Sequence, residues 1–89
     1  MARYVGISCL ERTTLTTTGS VKTGSGSLGG WYVSAAVAAG AITLSDSIGT
    51  VLIIPTCAAG TAASGLGIGF SGHLTATFAG TGTVVFLYA

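Results

Sequence analysis

Apolar and polar positions alternate with a period of two along most of this chain. Over residues 31–37, Trp31, Val33, Ala35 and Val37 fall on one face, and Tyr32, Ser34 and Ala36 on the other. Over 41–45, Ile42 and Leu44 oppose Thr43 and Ser45. Leu66, Ile68 and Phe70 alternate strictly with Gly65, Gly67 and Gly69, while Leu74, Ala76 and Phe78 share a face opposite Thr75 and Thr77. Successive strand side chains point to opposite sides of a sheet, so short runs of strict alternation predict half-buried strands. The continuous apolar run 51–57 predicts a buried strand, with Pro55 near its end or at an edge. Residues 83–88 predict a closing strand, and Tyr4, Val5 and Ile7 a short opening one. Residues 13–18 form a Thr-rich, β-branched segment.

Between these runs lie turn signals: Ala38, Ala39 and Gly40; residues 46–50 with Gly49; Ser71 and Gly72; and Gly80, Thr81 and Gly82. Residues 22–30 (KTGSGSLGG) read as a flexible connection and 58–64 as a loop of small residues. The best helical rival is 31–42, but Gly29, Gly30 and Gly40 bracket it and period two fits at least as well. The whole pattern predicts seven or eight short strands. One sheet of that size would leave a wet apolar face, so the expected fold is all-β: a small antiparallel β-sandwich, jelly-roll-like. Residues 1–22 are expected to form an N-terminal strand or arm, and 23–89 the sandwich body of a single domain. A chain of 89 residues buries roughly 60% of its unfolded surface, which is marginal for a lone monomer.

Charge changes the picture most. Only 6% of residues are charged: Arg3, Glu11, Arg12, Lys22 and Asp46. An ordinary soluble surface carries roughly 25–35%. Four of the five charges lie in the first 22 residues. A small free monomer with such a surface associates, so much of it is expected to be covered, by copies of the chain or by a larger particle. The alternative is a surface of Thr, Ser and backbone that hydrates adequately without charge. With 49% hydrophobic residues and a net charge of +1, the chain is not a disordered tail. Three basic residues make no nucleic-acid patch. The longest candidate membrane segment, 31–44, is interrupted by Ser34, Gly40 and Thr43 and falls short of the about 20 residues a spanning helix needs. The N-terminus lacks the features of a signal peptide, so synthesis in a reducing cytosol is expected.

Candidate chemistry is sparse. Cys9 and Cys57 show no metal-ligand spacing and read as small buried side chains, bonded only if strands bring them together. Gly24, Gly26 and Gly29 match the dinucleotide pattern G-x-G-x-x-G, but that pattern needs a following helix and a βαβ unit. Asp46, His73 and any of nine serines can be drawn as a triad, yet no nucleophile motif supports it, and His73 reads as a turn or interface residue. No enzyme activity, metal or cofactor is expected. The Thr-rich stretches raise ice binding, which calls for a fixed repeat that is absent. Gly65, Gly67 and Gly69 leave one strand face bare, so an aromatic from a neighbouring strand or subunit is expected over them; a bulged strand is the plainer alternative. Arg3, Arg12 and Lys22 are candidate anchors onto an acidic surface, or else ordinary solvated charges. Tyr4, Trp31 and Tyr32 are candidate interface aromatics, or equally core residues.

The string TGSGSLGGWYVSAA (23–36), then GAITLSD (40–46), GIGF (67–70) and the terminal TVVFLY (83–88) resemble a group of small tailed-phage virion proteins. The resemblance spans about residues 18–89. It departs at 51–63, where the group is polar and this chain reads VLIIPTCAA. The resemblance implies a β-sandwich on the capsid exterior acting as decoration or cement, often multimeric, with the major capsid protein as partner and a trimer as the simplest assembly. The rival expectation is a receptor- or glycan-binding module of a fibre or tail tip.

Overall fold

The computed structural model describes residues 11–89. Among them nine strands follow one another: β1 (Glu11–Leu15), β2 (Gly19–Thr23), β3 (Gly26–Ala38), β4 (Ile42–Ser45), β5 (Thr50–Ile54), β6 (Ala62–Ala63), β7 (Ile68–Phe70), β8 (His73–Phe78) and β9 (Thr81–Tyr88). One sheet has the order β1-β9-β3-β6, with β7 also on β3, and the other β2-β8-β4-β5. Every pairing is antiparallel. β6 pairs with Trp31 and Tyr32, and β7 with Gly26 to Leu28, on the side of β3 away from β9. They are two halves of one interrupted strand. The result is eight strand positions, four per sheet, with the chain crossing between sheets at nearly every connection: the jelly-roll form of the expected sandwich.

The two inward faces meet in one core. Leu28, Trp31, Val33, Val37, Phe70, Val84, Phe86 and Tyr88 come from the β1-β9-β3 sheet, and Val21, Ile42, Leu44, Ile54, Leu74 and Ala76 from the other. No polar or charged residue is buried among the described residues. The buried Tyr88 has its phenol satisfied at the margin, sharing a 2.7 Å hydrogen bond with the Thr13 hydroxyl. The alternations at 42–45 and 74–78 carry through to this packing, because those strands are straight enough to keep one face inward.

The segment 22–30, expected to be a flexible connection, is mostly strand. β3 begins at Gly26 and continues unbroken to Ala38, since its glycines lie in ladders with β7 and β9 that supply the backbone order no side chain provides. The ladder to β9 slips at Leu28/Gly30, Val33/Ala35 and Ala35/Ala38. These slips turn Ala35 outward, where strict alternation placed it inside, and restore Val37 to the core. Of residues 11–22, β1 joins one sheet beside β9 and β2 the other beside β8. Residues 51–57 are not a wholly buried strand: the strand ends at Ile54, just before Pro55, and takes the edge position that the proline offered. β5 is the edge of its sheet, with Ile54 fully buried and Ile53 54% exposed. Within the expected 58–64 loop, Ala62 and Ala63 pair with β3.

Candidate interaction surfaces

Among the described residues the core is apolar apart from the Tyr88 hydroxyl, and the polar and charged side chains stand on the outer faces and turns. Directly opposed residues in an antiparallel ladder point to the same side. On the β1-β9-β3 sheet, two outward rows follow from the register: Arg12, Leu87 and Gly30; and Thr14, Val85, Tyr32 and Ala62. Tyr32 stands 45% exposed between the half-buried Val85 and the exposed Ala62. Arg12 is the one charged side chain in these rows. On the opposite sheet the outward rows are Ser20, Thr75, Ser45 and Thr50; Thr77, Thr43 and Ile53; and Thr23 with His73. One outer face is thus apolar around an aromatic, and the other is a lattice of hydroxyls broken by Ile53.

The sheet edges are closed to strand addition. β1 carries the exposed charges Glu11 and Arg12. β2 is bulged between Ser20 and Lys22. β5 is bulged where Leu52 and Thr50 face successive β4 residues, and Pro55 follows its last residue. The β6–β7 position is interrupted by 64–67. Charge, bulge, proline and interruption are the devices by which sheets avoid edge-to-edge pairing.

At one end of the sandwich three turns are tied together. The Asp46 carboxylate accepts hydrogen bonds from the backbone N–H groups of Ile48 (2.9 Å), Gly49 (3.0 Å) and Ser71 (2.9 Å). Those bonds, Ser71 first, then Gly49 and Ile48, hold its pKa below the ordinary 3.8. Ser47 Oγ donates to the Ser71 carbonyl at 2.7 Å, and Gly72 N–H to Ser25 Oγ at 2.9 Å. Asp46 is therefore engaged in turn architecture, which leaves the triad drawn from Asp46, His73 and a serine without its carboxylate. Gly24 sits in a turn at φ 100°, and the glycine-rich stretch after it enters β3 with no helix, so the dinucleotide pattern has no structural basis here. Among the described residues no three His, Cys, Asp or Glu side chains gather as a metal site.

The remaining candidate residues divide. Trp31, expected as an interface aromatic, is a core residue at 9% exposure; its neighbour Tyr32 holds the outward position. Lys22 is half-buried, and its ammonium lies 5.9 Å from the Tyr88 ring centroid, a cation–π contact inside the sandwich rather than a free anchor. Arg12 is exposed on the Tyr32 face. Gly65 and Gly67 do not form a bare strand face: both take left-handed φ (66° and 61°) in the 64–67 interruption, so glycine is required by conformation. Among the described residues nothing lies within 4 Å of where a Cβ would stand on either, and Gly69 approaches only the Gly26 carbonyl oxygen at 4.0 Å, so no aromatic of the described residues covers them. Arg3, Tyr4 and Cys9 lie outside the described residues. Ile53 and the turn residue Ile48, 84% exposed, were not singled out by sequence reasoning. The edge position of 50–54 that exposes Ile53 has no local signal except Pro55.

Comparison with known protein families, characterised proteins and solved structures finds no match to this chain.

Proposed function

We propose that the chain is a non-enzymatic structural subunit of a tailed-phage virion, a capsid decoration or cement protein that associates with copies of itself and with the major capsid protein. One observation carries the reading: both outer faces of the sandwich are nearly free of charge, on a chain with 6% charged residues. Such faces suit burial in an assembly better than life as a dilute monomer. The resemblance over residues 18–89 supports the same reading and the virion exterior as its place, with synthesis in the host cytoplasm. A subunit that binds only the assembled shell stabilises it by mass action. Arg12, and Arg3 beyond the described residues, are the candidate contacts to an acidic shell surface. Quantifying the chain in purified virions tests the reading: decoration requires hundreds of copies per particle, and absence from virions refutes it.

The hydroxyl lattice of Ser20, Thr43, Ser45, Thr75 and Thr77 favours a second reading, a glycan-binding module of a fibre or tail tip. A handful of copies per particle, with retention on host glycans lost in a Thr75→Val/Thr77→Val double variant, would support it over decoration.

A further inference from the structure

We infer that the outer face of the β1-β9-β3 sheet, centred on Tyr32, is the surface by which this chain binds a second copy of itself. The inference rests on the proposed self-assembly and adds where it occurs. With every edge of the described sandwich blunted, strand addition is closed, and association must use a face. The two faces differ in what burial would do. Sheltering Thr43, Thr75, Thr77, Ser20 and Ser45 strips water from hydroxyls that then need new partners. Sheltering Val85, Leu87, Ala62 and the ring of Tyr32 removes apolar surface, and the groups that need new partners are fewer: the Tyr32 and Thr14 hydroxyls, with the Arg12 guanidinium at the β1 edge.

Charge selects the occupant. The Tyr32 face holds one charged side chain, Arg12, in the row beside the Tyr32 row, on the edge strand β1. Arg12 at the β1 edge can meet an acidic surface, but the centre of the face around Tyr32 offers no charge with which to pair a charged partner, whereas a neutral copy brings none there. Geometry agrees: two twisted sheets pack face to face at about −30°, as the two sheets of one sandwich already do. Area sets the strength. Four strand positions about 4.8 Å apart and eight residues rising about 3.4 Å each give a face of roughly 19 by 27 Å, on the order of 500 Å². That is below the about 800 Å² per partner of a standard interface, so the contact in solution is weak and concentration-dependent. Arrayed on a particle, many such contacts act together.

Sedimentation of the full chain over a concentration series tests this, with three single variants: Tyr32→Arg and Ala62→Arg on the proposed face, and Thr77→Arg on the other. All three positions are solvent-exposed, and Trp31 fluorescence with the thermal midpoint reports whether each variant keeps its core. The wild-type chain and Thr77→Arg are expected to move from monomer to larger species as concentration rises. Tyr32→Arg and Ala62→Arg are expected to weaken this by roughly tenfold or more, as for a central anchor. A wild-type chain that stays monomeric throughout overturns self-assembly and the face together. Association that survives both Tyr32→Arg and Ala62→Arg overturns the face alone, and loss in Thr77→Arg alone moves the contact to the hydroxyl sheet.

Discussion

The two sheets of this sandwich are alike inside and opposite outside. Inward, each contributes fully buried aliphatic side chains: Leu28, Val33 and Val84 from one, Ile42, Leu44, Ile54 and Leu74 from the other. Outward, one presents Tyr32, Val85 and Leu87, and the other a field of threonines and serines. They differ in backbone too. β3 runs for 13 residues and slips register three times against β9, while the β4–β8 ladder has no slip. Glycine explains much of this. Gly30 lets the Ala63–Ser64 backbone lie against β3 so closely that a Cβ would stand 2.5 Å from the Ala63 carbonyl oxygen. The hydroxyl sheet keeps one register in its central β4–β8 ladder and bulges only toward its edges, at β2 and β5, while the other slips in its central β3–β9 ladder. A small chain thus makes one even polar face and one uneven apolar face from the same alternating pattern.

If the inward faces are equivalent, truncating either should cost alike. Phe86→Ala is expected to lose about 3–5 kcal/mol and Leu44→Ala about 2–5 kcal/mol in chemical denaturation, since both are fully buried. A much smaller loss at Leu44 would mean the hydroxyl sheet packs loosely. The backbone contrast predicts the next effect. Gly30→Ala should destabilise by about 1–3 kcal/mol through overlap with Ala63, with faster amide exchange at Ala62 and Ala63 than at Thr75 and Thr77.

Asp46 bridges the comparison, because its turn leads into β5 and its carboxylate reaches Ser71 after β7. Its pKa is lowered by those backbone hydrogen bonds, so the stability it contributes is present above the unfolded value near 3.8 and lost as pH falls through the folded one. Asp46→Asn should flatten the acid limb of the stability curve below about pH 4. An unchanged limb would show that the three-turn tie adds nothing to stability.

The smallest effect concerns Ala39, the one non-glycine residue with positive φ (63°) among the described residues. Ala39→Gly relieves a left-handed conformation at the cost of a more flexible unfolded chain, so a gain of no more than about 1 kcal/mol in thermal unfolding is expected.

Much of the core was legible from alternation. Ile42, Leu44, Leu74 and Ala76 are inward as their period-two pattern requires, because the β4–β8 ladder keeps one register, and Val33 and Val37 are inward although the slips between them turn Ala35 out. Legibility failed wherever a second strand, and not the local sequence, supplied order. The glycine-rich start of β3 looks like a linker until β7 and β9 flank it, and Ala62–Ala63 looks like a loop until Trp31 and Tyr32 pair with it. Gly65, Gly67 and Gly69 looked like one bare strand face. Two of them are instead the left-handed residues of an interruption, a difference in φ that composition does not reveal. Among the candidate surface residues, Trp31 and Tyr32 were indistinguishable by type. Adjacent strand residues point oppositely, and the alternation that sets Trp31 with Val33 and Val37 and Tyr32 with Ser34 already indicates that Trp31 is the inward one.

The sequence by itself determined the class of this protein: all-β, with turns near every tenth residue and a chain almost without charge. Those properties follow from local periodicity and from counting, and no contact is needed to read them. The tertiary structure decided the strand order, the interruption of β6 and β7, the edge position of β5, and which outer face is apolar. Each depends on pairing between residues far apart in the chain, where hydrogen-bond register and the packing of two sheets choose among arrangements that the local pattern allows equally.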